Sequence, residues 1–363
     1  MNSPDHLSGH LVVSQGQSFM LLQSHVRSRG FRFIDLFSGI GGMRLAAEAS
    51  NGQCVFSSEI NKAAALTYER NFGDKPHGDI TEIDPQIIPD HDLLLGGFPC
   101  QPFSISGHRK GFEDTRGTLF FHILNIAKIK MPNCLILENV KHFKNHDGGR
   151  TLKVVIDALA EIGYHVTVDV LNANCFGLPQ SRYRTIIVAS KLGKFDFSNL
   201  KTTDIVSMQK VLDADGDFMF LDPQEYTLLD AELVKTQKKT GLQFVGFRKR
   251  ELRKAGIRPG TEHLSRAHKQ PHRIYSALGT HPTIRASESS GRYWILRNER
   301  VRKLTMRECY RLQGFPENFE FHRSPVAAYR QIGNSVPVPM IAEVIRSATN
   351  QRLVHPEEVR RAA

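Results

Sequence analysis

The sequence predicts an α/β protein with a mainly parallel sheet and a second, smaller module, and three observations predict this class. In the first half of the chain, short apolar runs alternate with helical stretches, which is typical of βαβ units. After about Ser190 the alternation stops, and the sequence becomes charged and irregular, with scattered glycine, proline and histidine. Helical periodicity returns near Thr305, which indicates that the end of the chain rejoins the first domain.

The expected elements follow in chain order. Short apolar runs predict strands over residues 31–36, 54–58, 92–96, 134–138, 165–171 and 185–190. Apolar residues at helical spacing, with flanking glycines, predict helices over residues 41–50, 62–71, 118–130 and 150–162. A further helix over residues 305–312 ends before the sequence GFP, and a last helix follows Pro339.

These patterns divide the 363 residues into an N-terminal extension and two domains. The extension comprises residues 1–30, and the first domain combines residues 31–190 with residues 325–363. The second domain, expected to be mostly irregular or β, comprises residues 191–324. A chain of this length can form a hydrophobic core in a large α/β domain and still carry a smaller one.

The net charge of +11 is concentrated in one part of the chain. Between Lys235 and Lys303 there are 18 Lys and Arg residues against 4 Asp and Glu, whereas the rest of the chain has 30 against 33. Such a basic segment suits a surface that binds phosphates, because each neutralised phosphate releases counterions. A solvated basic face is the alternative.

The sequence indicates neither a secretory signal nor a membrane span. Its first residues lack the basic-then-apolar order of a signal peptide, and no uncharged apolar run approaches the roughly 18 residues that a membrane span needs. The five cysteines, at positions 54, 100, 134, 175 and 309, form no Cys-x-x-Cys pair. We therefore expect a cytoplasmic protein with reduced thiols, without a disulfide framework or a zinc site.

The segment FIDLFSGIGG, residues 33–42, leads from an apolar strand through a glycine-rich loop into a helix. Such loops let backbone N–H groups approach a ligand closely. Glu59 ends the next strand, 24 residues after Asp35, where nucleotide-binding folds place an acid on ribose hydroxyls. The glycines at positions 39, 41 and 42 differ from the dinucleotide pattern G-x-G-x-x-G, which favours adenosine without a pyrophosphate. Asp79 is placed to meet an adenine amino group, although both loops also fit ordinary turns.

The segment GGFPCQPFS, residues 96–104, places one cysteine between two prolines. Pro99 and Pro102 fix their own φ angles and disfavour helix at the residues before them, so Cys100 is expected on a stiff loop beyond the carboxyl end of a strand. Ligands of open α/β sheets bind at that edge. A thiol in an electropositive, partly exposed site loses its proton and becomes a nucleophile. The alternative is that Cys100 has only a structural role.

Two further motifs place polar groups at the same edge. The strand CLILENV ends in Glu138 and Asn139, so a carboxyl group that can exchange a proton emerges near Cys100, and the amide can brace the loop. The segment QSRYR carries Arg182 and Arg184 two residues apart, so both guanidinium groups are expected on one face, where they could bind phosphate or a base oxygen. The alternatives are an ordinary strand end and an exposed strand face.

Together these motifs resemble the DNA cytosine-5 methyltransferases. The matching segments occur in the order of that family and are DLFSGIGG, Glu59, Asp79, GFPCQPFS, RGTLFF, LENV, QSRYR, RKLTMRECYRLQGFP and AYRQIGNSVP. They cover residues 31 to about 345, except the basic segment. The resemblance implies a methyltransferase that acts on duplex DNA with S-adenosylmethionine as methyl donor, on a Rossmann-like mixed sheet.

The resemblance also implies residue roles. The residues expected to line the S-adenosylmethionine pocket are Phe37, Gly39, Gly41, Glu59, Ile60, Asp79, Leu119, Asn334 and Ser335. The residues expected around the target base are Cys100, Glu138, Arg182 and Arg184. In the family's chemistry a thiolate adds to C6 of cytosine while the glutamate engages N3, so that C5 can attack the sulfonium methyl group. Because C6 is inaccessible inside a duplex, the base must first be flipped out.

The basic segment lies where the family keeps its target recognition domain, here residues 191–324. In this comparison Arg273 could read a guanine edge, and Thr283 could hold the DNA backbone beside the flipped nucleotide. The family usually shows Thr-Leu where this chain has Thr283 followed by Ile284. The resemblance further implies that the protein is a monomer and that it is paired in function with a restriction endonuclease.

Three other functions fit the sequence less well. A tRNA cytosine methyltransferase of the same fold is disfavoured by the basic insert between Ser190 and Arg302, which that branch lacks. A catalytically idle DNA-binding repressor is disfavoured by the complete set of Cys100, Glu138 and both arginines. A nicotinamide dehydrogenase is disfavoured by the glycine spacing.

Overall fold

The structure, a computed structural model, describes residues 30–99, 119–249 and 260–354. The strands of its first half are β1 (Phe31–Leu36), β2 (Gly52–Ser58), β3 (Leu93–Gly97), β4 (Cys134–Val140), β5 (His165–Asn172), β6 (Gln180–Ser181) and β7 (Tyr183–Ser190). All but β6 form one sheet in the order β2-β1-β3-β4-β7-β5. The predicted strands are confirmed, with ends that differ by at most two residues.

This sheet is mixed because β7 runs against both of its neighbours. Strands β2, β1, β3 and β4 are parallel, as expected, whereas β7 pairs antiparallel with β4 and with β5. The reversal follows from the short connection after β5, because a parallel neighbour would need a crossover of a dozen or more residues. The reversal brings the start of β7 beside the carboxyl end of β4, with Arg184 opposite Val140.

The helices are α1 (Gly42–Glu48), α2 (Lys62–Phe72), α3 (Leu119–Lys130), α4 (Arg150–Glu161), α5 (Met306–Arg311), α6 (Pro325–Asn334) and α7 (Val338–Asn350). Six of them were predicted, and α6 was not. The last helix begins at Val338, so Pro339 lies in its first turn rather than before it, where a missing N–H costs nothing. In the described parts of the chain, no helix is long and apolar enough to cross a membrane.

Both faces of the central strands are buried, which explains their nearly continuous apolar sequences. One face contributes Phe33, Leu95 and Ile136 to an apolar cluster with α1 and α7. The other face contributes Leu94 and Leu137 to a second cluster with α3 and α4. The sheet is therefore held between two helical layers, and its polar groups lie at the strand ends.

The second module contains its own antiparallel-rich sheet. Its strands are β8 (Tyr226–Leu228), β9 (Phe244–Arg248), β10 (Arg273–Ser276), β12 (Trp294–Arg297) and β13 (Arg300–Lys303), in the order β13-β12-β10-β9-β8. The two-residue strand β11 (His281–Pro282) pairs with β6 instead. Inner-face residues of this sheet, among them Phe244, Tyr275 and Ile295, belong to the same apolar cluster as Met340 and Ile341 of α7. The two sheets thus share one core.

Candidate active site

The loop after β1 has a left-handed backbone at three positions. Phe37, Gly39 and Gly41 have φ angles of 56°, 57° and 84°. A Cβ atom at Gly41 would lie 2.2 Å from the Phe72 ring, so this position requires glycine. No atom lies within 4 Å of a Cβ built at Gly39, so the space beside this part of the loop is open to a ligand.

Glu59 is hydrogen-bonded to the backbone of this loop. Its Oε2 accepts a hydrogen bond from the Gly39 N–H at 2.8 Å, and its Oε1 accepts one from the Asn61 N–H at 2.7 Å. Its neighbour Ile60 is 68% exposed. The carboxylate predicted to meet ribose hydroxyls therefore lies directly beside the glycine loop, next to an exposed apolar surface.

Asp79 lies on the segment that adjoins the end of β2. The Glu59 N–H donates to the carbonyl of His77 at 2.8 Å, which fixes this segment beside the loop. The Asp79 carboxylate accepts hydrogen bonds from the backbone and the hydroxyl of Thr81, both at 2.9 Å, and these bonds lower the pKa of Asp79. Helix α3, which begins at Leu119, packs against the short turn that follows Asp79.

Residues from the far end of the chain complete this side of the sheet. Ser335 follows α6, and a Cβ atom at Gly42 would lie 2.6 Å from the Ser335 Oγ. Asn334 is the last residue of α6. The structure therefore brings residues 334 and 335 to the glycine loop, although almost 300 positions separate them in the sequence.

A buried carboxyl group at this end of β1 was not singled out by the sequence motifs. Asp35 is 1% exposed, and within the described parts of the chain neither of its carboxyl oxygens accepts a well-formed hydrogen bond. Burial raises the pKa of Asp35 to about 8, with a smaller contribution from Glu59 in the same direction and an opposing one from Arg44. The Arg44 guanidinium is bound to Glu48, Asp74 and Tyr68 rather than to Asp35. The signal that could have revealed this cluster is an arginine in the mainly apolar sequence of α1.

An ion pair lies at the carboxyl end of β4. The Arg184 Nε is 2.5 Å from the Glu138 Oε1, and each side chain is 11% exposed. Asn139 donates from Nδ2 to the carbonyl of Phe98 at 3.0 Å, so the predicted bracing of the loop after β3 is confirmed. A largely buried pair of this kind fixes the orientation of the carboxyl group.

The two arginines of QSRYR have different partners. Strand β6 ends at Ser181 and β7 begins at Tyr183, so Arg182 lies in the break between them. Arg182 is fully buried, and its Nη atoms donate to three backbone carbonyls, those of Ile284, Gly333 and Ser335. Burial lowers its pKa well below the usual value. Of the two, only Arg184 forms an ion pair with Glu138.

The predicted nucleophile, Cys100, lies outside the described residues. The described chain reaches Phe98 and Pro99, directly after β3, whose last residue Gly97 is paired with Glu138. Burial raises the pKa of all four described cysteines, for Cys54 to about 11. Their surroundings therefore disfavour the thiolate form that a nucleophile needs. Cys134 and Cys309 are fully buried and pack as core residues.

The predicted DNA contacts lie on the second module. Arg273 begins β10, and its Nε donates to the carbonyl of His268 at 2.8 Å. The Thr283 hydroxyl donates to the carbonyl of Ser181 at 2.8 Å. Beside Arg273 is a cavity of about 360 Å³, lined by Arg266, His268, Lys269, Gln270, Pro271, Arg273, Arg285, Ser287 and Glu288. The basic side chains of this cavity outnumber its single carboxylate.

The comparison with known families decides the class of the chain. A family model described as C-5 cytosine-specific DNA methylase matches residues 31–350. The chain belongs to this family. The protein is a DNA cytosine-5 methyltransferase, and its methyl donor is S-adenosylmethionine.

Curated relatives support the assignment. This methylase is 40% identical to the type II methyltransferase M.HhaI of Haemophilus parahaemolyticus over 323 residues, which cover 86% of this chain and 92% of the relative. It is 44% identical to the type II methyltransferase M.NgoBI of Neisseria gonorrhoeae over 313 residues, which cover 86% and 90%. It is also 44% identical to M.HaeII of Haemophilus aegyptius over 322 residues, which cover 88% and 93%.

Solved structures match the fold of the methylase at lower identity. A DNMT2 mutant of Spodoptera frugiperda has a TM-score of 0.63 and 21% identity, and the match covers 88% of this chain and 99% of that one. The Dnmt2 methyltransferase of S. pombe has a TM-score of 0.62 and 20% identity, with 89% and 99% covered. These likenesses concern the fold of the mixed sheet.

The residues at the glycine loop fit an S-adenosylmethionine molecule. The open space beside Gly39, the exposed side chain of Ile60 and the two carboxylates of Glu59 and Asp79 suit an adenosine with free hydroxyl and amino groups. The Ser38 Oγ is buried, has no hydrogen-bond partner among the described residues, and is a further polar atom at the loop. This is the chemistry expected of a pocket for this methyl donor.

Proposed function

We propose that this methylase transfers a methyl group from S-adenosylmethionine to C5 of a cytosine flipped out of duplex DNA, through a covalent bond between Cys100 and C6. The observation that carries the proposal is the Glu138–Arg184 ion pair at the carboxyl end of β4, next to the chain segment that leads to Cys100. Membership of the cytosine-specific family supports it.

The residue types fit the chemistry because C5 of cytosine is a weak nucleophile. Addition of the Cys100 thiolate forms the Sγ–C6 bond, while Glu138 hydrogen-bonds or protonates N3, where the displaced ring electrons would otherwise build up negative charge. S-adenosylmethionine, when bound, supplies an electrophilic methyl group on a sulfonium. After C5 is methylated, loss of the C5 proton restores the C5–C6 double bond and expels the Cys100 thiolate.

Arg184 keeps Glu138 in place for this step. The short ion pair holds the carboxyl group in one orientation, and the remaining guanidinium donors of Arg184 can bind the oxygen of the base. Asn139 donates to the Phe98 carbonyl and so fixes the chain at the end of β3, two residues before Cys100. A preorganised set of this kind reduces the reorganisation needed at the moment of reaction.

The cofactor side is proposed from the loop geometry. Glu59 would bind the ribose hydroxyls, Asp79 the adenine amino group, and Ile60 one face of the adenine ring. The remaining residues proposed to line the pocket are Phe37, Gly39, Gly41, Leu119, Asn334 and Ser335.

The second module is proposed to read the DNA. Its excess of Lys and Arg over residues 235–303 suits phosphate binding. Arg273 borders the basic cavity and is proposed to read a guanine edge, since bidentate pairing of arginine with guanine is the commonest specific contact. Thr283 is proposed to hold the DNA backbone beside the flipped nucleotide.

The same reasoning extends to organisation and context. Residues 31–190 with 325–363 are proposed as the catalytic domain and residues 191–324 as the target recognition domain. The type II methyltransferases among its relatives support a role as the protective methylase of a restriction-modification system, paired in function with an endonuclease. We propose a monomeric protein that acts in the cytoplasm.

The first experiment is transfer of labelled methyl groups from S-adenosylmethionine to unmethylated duplex DNA and, in parallel, to tRNA. Bisulfite sequencing of the DNA product then identifies the methylated cytosines. We expect label in DNA, at one cytosine of a short recognition sequence. Label in tRNA alone would contradict the proposed substrate, and label in neither would favour a DNA-binding protein without activity.

The covalent step is tested by Cys100→Ser. We expect methyl transfer to fall below detection while DNA binding persists, because a serine hydroxyl is a far weaker nucleophile than a thiolate. Turnover is measured with labelled cofactor, and DNA binding by gel shift. Cys175→Ser, at a half-buried thiol, is the matched control. Near-normal turnover of Cys100→Ser would exclude the covalent role.

A further inference from the structure

One segment of the second module is bound by three consecutive residues that lie between the two sheets, Gln180, Ser181 and Arg182. Strands β6 and β11 pair in parallel, with Gln180 opposite His281 and Ser181 opposite Pro282. The Thr283 hydroxyl then donates to the Ser181 carbonyl at 2.8 Å. The segment that follows β11 is thereby attached to the chain just before β7.

The next residue, Ile284, is bound at both of its backbone groups. Its N–H donates to the Gln180 Oε1 at 3.2 Å, and its carbonyl accepts from the Arg182 Nη1 at 2.8 Å. Ile284, Gln180 and Arg182 are all 0% exposed. The Gln180 Nε2 also donates to the Leu312 carbonyl at 2.9 Å. We call Gln180, Arg182 and the Ile284 backbone the Ile284 clamp.

The clamp lies between the groups proposed for base chemistry and those proposed for cofactor and DNA. Arg184, the partner of Glu138, is two residues beyond Arg182 on the same chain. The Arg182 Nη2 donates to the carbonyls of Gly333 and Ser335, at 2.9 and 2.5 Å, in the segment proposed to line the cofactor pocket. Thr283, proposed to touch the DNA backbone, directly precedes Ile284.

We propose that Gln180 is a positioning residue of methyl transfer, which acts through the Ile284 clamp to fix the distance between Thr283 and the Glu138–Arg184 pair. This inference rests on the proposed function. A flipped cytosine is joined to the DNA backbone, so it reaches the ion pair only if the backbone contact and the pair keep a fixed separation. Misplacement by about 1 Å can cost on the order of 100-fold in rate. Directional hydrogen bonds hold such a separation better than apolar packing does.

If Gln180 contributed to stability alone, removal of another buried side-chain hydrogen bond would lower the rate of methyl transfer to the same extent. Gln313 provides the control for this alternative. Gln313 is also 0% exposed, and its Nε2 donates to a backbone carbonyl, that of Ile332, at 2.6 Å. No described side-chain bond of Gln313 reaches residues 281–284. Gln180→Met and Gln313→Met each remove a buried carboxamide without changing side-chain length.

The test measures single-turnover methyl transfer on duplex DNA that contains the methylated sequence found by bisulfite sequencing. For Gln180→Met we expect a rate about tenfold lower, the equivalent of about 1.4 kcal/mol, with the Kd for S-adenosylmethionine unchanged. With 2-aminopurine in place of the target base, we expect lower emission, since fewer bases are held outside the stack. Gln313→Met should stay within about twofold of the wild type. Equal rates for the two variants would overturn the proposal.

Two further variants keep the test decisive if Gln180→Met does not fold. Gln180→Glu retains a side-chain oxygen that accepts from the Ile284 N–H in either protonation state of the carboxyl group. Gln180→Asn retains the amide but shortens its reach. We expect Glu to preserve most of the rate and Asn to lower it, and a wild-type rate for Asn would overturn the clamp.

Failure of the proposed function gives a different result. If the wild-type chain methylates no DNA, the proposed function fails, whatever the Gln180 variants do. Hydrogen exchange of the segment around Thr283 and Ile284, compared between the wild type and Gln180→Met, then decides the clamp separately. Equal protection of this segment in both proteins would overturn it.

Discussion

Two acidic residues at the same edge of the central sheet are buried in opposite ways. Glu138, at the end of β4, forms an ion pair with Arg184 at 2.5 Å. Asp35, at the end of β1, is 1% exposed and has no such partner, because Arg44 is bound to Glu48 and Asp74. A carboxyl group removed from water either acquires a cation or keeps its proton, and this sheet contains one example of each. The comparison separates an acid that is held by a cation, which we propose for the base site, from an acid whose state is set mainly by burial.

The largest expected effect comes from removing the acid function of Glu138. Glu138→Gln keeps the shape of the side chain but cannot supply a proton to N3 of the base. We expect methyl transfer to fall by about 100-fold or more, with the Kd for S-adenosylmethionine unchanged. Single-turnover kinetics and calorimetric titration of the cofactor measure the two quantities. Parallel loss of both would indicate misfolding and not lost chemistry.

A smaller effect is expected from removing the cation of the pair, which would make Glu138 resemble Asp35. In Arg184→Met the carboxyl group is left buried without a partner, and this costs about 3 kcal/mol if it stays charged. We expect activity to fall and unfolding to begin at lower denaturant concentration as the pH is raised from 6 to 8. Arg150→Met, at an exposed ion pair, is the control and should change stability little. A pH-independent loss in Arg184→Met would contradict this explanation.

The smallest expected effect on methyl transfer, and the sharpest test of the contrast, concerns the unpaired acid, whose substitution is expected to act on stability. The pKa of Asp35 is about 8 in the folded chain and has a usual value of 3.8, so folding takes up a proton between these limits. Its contribution to stability is therefore present below about pH 4 and is lost as the pH rises towards 8, by up to about 1.4 kcal/mol per pH unit. Asp35→Asn should remove that slope in urea unfolding curves.

The control for Asp35 is Asp157→Asn, at an exposed pair with Lys153. This substitution should leave the pH dependence of stability unchanged. If Asp35→Asn and the wild type have the same slope between pH 5 and 8, Asp35 is charged in the folded protein and the contrast with Glu138 is wrong.

Most of the first domain could be predicted from sequence because its strands are buried on both faces. Runs such as LLLGG and CLILENV leave few alternatives, and the helices between them are amphipathic or apolar. Helix α6 was not predicted because its sequence PVAAYRQIGN mixes small and polar residues. Its burial comes from tertiary contacts, which periodicity does not report.

Part of the candidate site could likewise be predicted from sequence, and part of it could not. Glu138, Arg182 and Arg184 were predicted because they adjoin recognisable strands. The different partners of the two arginines could not be predicted, because the partners of Arg182 lie more than 100 residues away. The burial of Asp35 was likewise invisible, since an aspartate in a motif gives no sign of whether a cation is free to meet it.

The apolar cluster shared by the two sheets limits how the enzyme could be re-engineered. Phe244, Tyr275 and Ile284 of the second module pack in one core with Met340 and Ile341 of α7. Exchange of that module for one from a relative, with the aim of changing the recognised sequence, would have to transplant its inner face and not only its surface loops. The same continuity means that heat or urea should melt both modules in a single cooperative transition. Evolution of a new specificity is therefore easiest by substitution on the outer face, where the core is not disturbed.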